Sequence, residues 1–449
     1  MIITFVTIIC VLFSMYLFKS ASGSISLLHL NTVSYVMYFQ IFTMAVVGSV
    51  LVANNMVDYH YMISPVSNQT KFYAWIGVMY SIIAMPLGMI LLNNLLKVKH
   101  IQQKLSDYSK AEIESWFSSN NQNHILLGLA IFSTIILIYV LTANNIIPII
   151  ELLKGHKDTA AIGRITVRRE FGGIEYIKNL FGLVLIPIFA YYSYILWNKN
   201  KSLVKLILML ILNFNALLLL VYDTQKAPFV FFLFGYIIIF TFTKNGISKF
   251  KLILFSFIAL LLVVLGYYLT GGRGLEQLTD PTSALYGRIF ISGYGGYVLS
   301  LHYFPDIIKE STTFIGVPHA ILDFFHIPSV ESARLLMEKV NPEGIKDGHA
   351  NLISSYYLGE AYANYGILGI IFSPFIVGFV VQSVHLFLLQ SKKNPLYIAF
   401  YAFITVKWLL NTGFVSFLYL KIILYPFILL FFVKLFLNTI KKWTQEKTY

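Results

Sequence analysis

A chain of 449 residues that is 57% hydrophobic and only 12% charged, with mean hydropathy +0.73, cannot be a soluble domain, since soluble domains are roughly 25% charged. Its net charge of +13 therefore reads as a topology signal and as ligand attraction, not as nucleic-acid binding. The one cysteine, Cys10, lies in an apolar run, which excludes a disulfide framework and a cysteine metal site.

The opening stretch MIITFVTIICVLFSMYLFK has no basic n-region and no small-residue cleavage site, so it is expected to be a first membrane helix and not a cleaved signal. Apolar runs of about 17–25 residues mark spanning helices. They predict eleven: 2–18, 33–53, 72–95, 124–145, 177–197, 203–222, 227–243, 251–270, 362–390, 395–411 and 414–437. Between the third and fourth, EIESWFSSNNQNH (112–124) reads as a surface helix leading into a polar turn. A twelfth apolar stretch, 287–304, is glycine-rich and is expected to be re-entrant or broken, which membrane depth tolerates only under cover of protein or water. Further on, IPSVESARLLMEKVNPEG predicts a short amphipathic helix, capped by Ser329 or Ser332 and ended by Pro342 and Gly344. No internal repeat or low-complexity tract appears. The expected fold is all-α: one transmembrane domain, 1–449, of about 11–12 helices with two enlarged outer loops, 146–176 and 271–361.

Lysines set the orientation. They cluster at 97–110, 198–205, 244–251, 392–393 and 441–447, segments that eleven spans place on one side, the cytoplasm. The N-terminus is then outside and the C-terminus inside. Both outer loops fall on the far side, and they hold all six arginines: Arg164, Arg168 and Arg169 in one, Arg273, Arg288 and Arg334 in the other. Lysine suffices as a point charge, whereas arginine grips phosphate with a planar fork and is never neutral. Guanidinium retained against the positive-inside rule points to a phosphate-bearing ligand.

Four groups of residues are candidates for chemistry. In GRITVRREFGGIEYI (163–177), Arg164 and Arg168 share a helix face at i, i+4, with Arg169 about 100° away and Glu170 and Glu175 as partners. That suits a diphosphate site or a self-neutralising loop. In the outer turn DTQKAPF (223–229), Lys226 either joins such a site or snorkels to head groups, and Pro228 suits the first turn of the next helix. Arg273 sits among glycines in GGRG, and Arg288 opens the apolar segment 287–304, where a permanent charge is costly unless paired. Arg334 lies in an ordinary amphipathic helix and reads as peripheral. Finally, DGHANLISSYYLGEAYANYGILGI (347–370) brings His349, Asn351 and Glu360 into the membrane, with Gly366 and Gly369 thinning the helix for packing. His349 is a natural general base, Glu360 the second candidate. Lys407 and Lys421 lie inside late spans with open roles. With no Walker loop, DxD or HExxH motif, the chemistry is expected to use no metal, ATP or other cofactor.

Over nearly its whole length the chain resembles the Wzy-type oligosaccharide repeat-unit polymerases of bacterial inner membranes. The likeness rests on its size, its dozen spans, the arginine-rich outer loops, the turn QKAPF, the segment YGRIF and the stretch GHANLISSYYLGEAYANYGILG. The last is also similar to the H-x-N pattern of O-antigen ligases. The resemblance implies a GT-C-like membrane glycosyltransferase. It would move a growing glycan from undecaprenyl diphosphate to a newly flipped lipid-linked repeat unit, making O-antigen or capsular polysaccharide on the outer face of the cytoplasmic membrane. For such a reaction the candidate residues are expected to divide into catalysis by His349 or Glu360 and binding of substrate or its diphosphate by Arg164, Arg168, Arg169, Lys226, Arg273, Arg288 and Asn351, and the resemblance implies a flippase and a chain-length regulator as pathway partners. A flippase, with no covalent chemistry, and an O-antigen ligase stand as alternatives, the long loop 271–361 speaking against the first.

Overall fold

The computed structural model describes residues 2–56, 62–114, 117–169, 171–225, 227–271, 287–304, 306, 325–326, 331–346, 350, 352–411, 413–418, 426–433 and 435. Regular structure among them is helical. Eight helices are long and apolar enough to cross a membrane. The chain is thus an all-α, multi-pass membrane protein.

In order these are α1 (Ile2–Ser22), α2 (Thr32–Ala53), α3 (Asn68–Leu95), α4 (Ile101–Lys110), α5 (Ser119–Thr142), α6 (Pro148–Leu153), α7 (Lys157–Arg169), α8 (Ile177–Lys199), α9 (Leu203–Val221), α10 (Ala227–Lys244) and α11 (Lys249–Gly271). Then follow α12 (Ser292–Tyr303), α13 (Ser332–Val340), α14 (Pro342–Lys346), α15 (Tyr357–Gln390), α16 (Pro395–Lys407) and α17 (Val415–Leu418). A further helical stretch covers 426–433. The bundle core runs along α15 against α3, with α1 and α12 beside them, and along α16 against α8 and α10.

Several sequence expectations are corrected. The surface helix after α3 is α4, not 112–124: residues 111–114 are non-helical and α5 begins at Ser119. Leu105, Tyr108 and Ser109 turn the buried face of α4 onto the bundle. The helix carrying Arg334 takes Glu331 as its N-cap, with no side-chain cap bond, and Ser332 is its first residue. Pro342 does not merely end that helix but opens α14, as its fixed φ allows. Ser329 lies outside the described residues. Parts of α2 and α8, Val36–Val46 and Ile177–Leu185, are wound as π-helix, which periodicity cannot reveal. In α2 the Thr43 hydroxyl donates to the Tyr38 carbonyl five residues back, a spacing that fits the wider winding.

The apolar, glycine-rich segment is a π-turn (Gly287–Ile291) followed by α12, a buried helix of 12 residues. At about 1.5 Å per residue it covers about 18 Å, well short of a bilayer core. Its glycines and those of its neighbours permit the burial. A Cβ at Gly48 would collide with the Phe290 carbonyl, one at Gly77 with the Tyr297 hydroxyl, and one at Gly359 with the Ser355 hydroxyl.

The lysine-rich turns meet on one face. Lys199 Nζ donates to the Ile113 carbonyl at 2.5 Å, Lys393 Nζ donates to the carbonyls of Ser109 (2.8 Å) and Ala111 (2.7 Å), and Lys392 lies 3.7 Å from Glu114. The end of α1 and the turn after α10 join there, with Ile247 N donating to Leu28 O at 2.9 Å. By helix alternation the ends of α5, α9 and α16 and the start of α15 lie on the opposite face.

Candidate functional site

On that opposite face, α16 stops at Lys407 after 13 residues, about 20 Å of helix. Residues 408–411 and 413–414 are then non-helical, a turn before α17. A turn that close to the far face lies within the depth of a bilayer, where every backbone group needs a partner. Other helices supply them. Leu410 N donates to the Gln40 side chain of α2 (3.3 Å), Leu410 O accepts from Tyr357 N of α15 (2.7 Å), and Val415 N donates to Glu360 Oε2 (2.7 Å). Trp408, fully buried, stacks on Phe417 with ring centres 5.7 Å apart.

Glu360 is therefore held at the junction of α15 and this turn. Gly413 has φ +98°, and a Cβ there would stand 2.5 Å from Glu360 Oε2. Only glycine fits both the backbone and the carboxylate. Asn411 donates to Ser354 Oγ at 3.3 Å, and the backbone of Gly293, at the start of α12, lies against Asn411 and Met44. The Lys407 ammonium lies over the Phe403 ring, 5.4 Å from its centre. The junction thus gathers α2, α12, α15 and the 408–414 turn around one carboxylate, two amides and hydroxyls.

Below Glu360 the helix α15 breaks at Gly366, whose φ of 59° and ψ of −142° are non-helical. This corrects the expectation that Gly366 thins a continuous helix. Gly369 takes the carbonyl of Ala361 against its bare Cα, so the two halves fold closely over the break.

The predicted residues divide into two places. The turn holding Arg288, Gly287–Ile291, packs against α2 and leads into the helix whose Gly293 meets Asn411, so it arrives at the Glu360 junction. Arg164, Arg168 and Arg169 lie instead on α7, which packs on α6 through Gly163 against Ile146 and Pro148. Gly163 and Val167 are buried and Arg164 is half-buried beside them. That hairpin is tied to the end of α5 by Ile174 N donating to the Tyr139 hydroxyl at 2.6 Å, and to the end of α9 by Ile149 N donating to Tyr222 O at 3.1 Å. Glu151 pairs with Lys154 and His156, both at 2.9 Å, and these partners hold its carboxyl below the usual range. Arg334 pairs with Glu338 at 2.7 Å. Lys226, Arg273, His349, Asn351 and Lys421 lie outside the described residues, whereas Pro228 does occupy the first turn of α10.

Sequence reasoning missed Gln40, Asn411, Gly413 and Ser354. The Asn-Thr-Gly step at 411–413 was the available signal, since that chemistry marks turns inside apolar runs. No protein-family model, no curated protein and no solved structure matches the chain.

Proposed function

We propose that the chain is a membrane glycosyltransferase that polymerises oligosaccharide repeat units carried on undecaprenyl diphosphate, working at the outer face of a bacterial cytoplasmic membrane. The observation that carries this reading is the Glu360 junction on the face opposite the lysines: a carboxylate held by the turn after α16, with the helix that follows the Arg288 turn packed beside Asn411. A lipid-linked sugar presents its diphosphate at the head-group level, so a site for it must be polar, sunk below the surface and cationic.

In the proposed reaction an acceptor sugar hydroxyl attacks the anomeric carbon of the donor. The new glycosidic bond forms as the bond from that carbon to the diphosphate oxygen breaks, and the electron pair leaves with the diphosphate. Arg288, with Arg273 and Lys226, neutralises the growing charge. His349 takes the hydroxyl proton, with Glu360 as the second candidate and Asn351 orienting the acceptor. The arginines carried on α7 would serve a second lipid diphosphate, the acceptor's. Donor and acceptor both carry one, so two separated cationic places fit a polymerase.

The test is ladder formation in cells. Arg288→Lys should shorten polymers sharply, because lysine loses the planar fork. Arg288→Ala and His349→Ala should leave single repeat units on the cell surface, as deletion of the gene should. Normal ladders from both alanine variants would remove the assignment, and complete loss of surface repeat units on deletion would mark a flippase instead.

A further inference from the structure

The face of the lysines carries a cleft that the polymerase reading does not use. Its larger lobe, about 860 Å³, lies between the end of α1 and α4 and is lined by Tyr16, Lys19, His100, Gln102, Asp107 and Lys110 among others. A second lobe of about 620 Å³ shares Lys19, Gly23, Gln102, Ser106 and Lys110 and reaches on toward His29 and Asn245. Gly23 makes the cleft possible. It ends α1 at φ +83°, and a Cβ there would come within 2.7 Å of Gln102 Cα, so the first turn of α4 rests directly on the end of α1.

Two features specify an occupant. First, neither the Lys19 nor the Lys110 ammonium has an ion-pair or hydrogen-bond partner among the described residues, although Asp107 lines the same lobe. Two cations and one carboxylate leave the lobe with a net positive charge, apart from His100. Second, the cleft opens onto an apolar stripe of α1. Phe5, Ile9, Leu12 and Tyr16 are 64%, 51%, 62% and 67% exposed, and at spacings of four, three and four they form one helix face leading straight to Lys19. Apolar track and cationic cup are continuous, which is the shape of an amphiphile with an anionic head.

We propose that this cleft binds one anionic phospholipid of the leaflet on the lysine side. Its phosphate sits between Lys19 and Lys110, and an acyl chain lies along Phe5, Ile9, Leu12 and Tyr16. The site is distinct from the Glu360 junction on the opposite face, and its occupant is structural, tying α4 to α1.

The experiment uses the full chain in mild detergent, with phosphatidylglycerol binding followed by native mass spectrometry. Lys19→Gln and Lys110→Gln should each weaken binding about fivefold. Lys104→Gln, on the same exposed helix but outside the cleft, should leave it unchanged. All three lysines are exposed, so unfolding midpoints without lipid should match wild type. Equal losses in the Lys104 variant would reduce the effect to a diffuse field and overturn the proposal. So would phosphatidylcholine binding as tightly, since the net anionic head would then not be read. Glycerol phosphate or inorganic phosphate competing as well as the whole lipid would replace the lipid with a free phosphate ligand.

Discussion

Glu360 holds two roles that one substitution series separates. Its carboxylate accepts the Val415 amide and so closes a turn at membrane depth. Under the proposed function it is also the second candidate, after His349, for taking the acceptor's proton. Glutamine keeps an oxygen for the amide but cannot take a proton from a sugar hydroxyl. Glu360→Gln is therefore expected to unfold at the wild-type temperature while shortening polymer ladders, and full ladders would leave Glu360 as a cap alone. Glu360→Ala removes the acceptor as well and should cost about 1–2 kcal/mol, as lost helix caps do. Gly413 probes the same spot from the backbone. Gly413→Ala places a Cβ 2.5 Å from Oε2 at a φ of +98°. Left-handed backbone alone costs about 1–2 kcal/mol outside glycine. The variant should melt earlier, and the Val415 amide should exchange faster with solvent deuterium. Wild-type exchange at Val415 would mean that the carboxylate is not held by that amide.

At the scale of elements, the segment 109–114 is a strap pinned by side chains from distant turns. Lys393 holds two of its carbonyls, Lys199 a third, and Asn394 donates to Glu114 O at 3.2 Å. Burial pushes the Lys393 ammonium down to about 8 from 10.5. The unfolded chain then binds more protons than the folded one between those values, so stability rises with pH across about 8 to 10.5. Lys393→Gln should flatten that rise in unfolding midpoint, and amides 109–114 should exchange faster in the variant. An unchanged pH profile would place the Lys393 amine in solvent. This strap also marks what the sequence could disclose. The spanning helices were legible because a bilayer demands long apolar runs, and Glu360 stood out because a carboxylate in such a run is costly. The strap, the π-wound parts of α2 and α8, and the true end of α16 were not. The run 395–411 is largely apolar, yet the helix stops at Lys407, and beyond it Leu410 pairs with Gln40, 370 residues away. Partners at that separation leave no local pattern. The break at Gly366 was likewise hidden, since glycine in an apolar helix reads equally as packing or as a bend.

Across the whole molecule, cation chemistry and geometry run in parallel. The lysine turns converge on the face of α4, while the α7 arginines and the Glu360 junction lie at the opposite ends of the same helices. A membrane protein keeps its lysines inside because cationic loops are hard to translocate, so the arginine face should be outside, where the proposed reaction needs it. Labelling from one side decides it. With Cys10 replaced by alanine, a cysteine at Leu153, 80% exposed on α6, reports the arginine face. One at Lys104, exposed on α4, reports the lysine face. An impermeant maleimide added to intact cells should modify position 153 within minutes and reach position 104 only after the membrane is opened. The reverse pattern would put the arginines in the cytosol, where no flipped repeat unit could reach them, and the polymerase reading would fall while the fold stood.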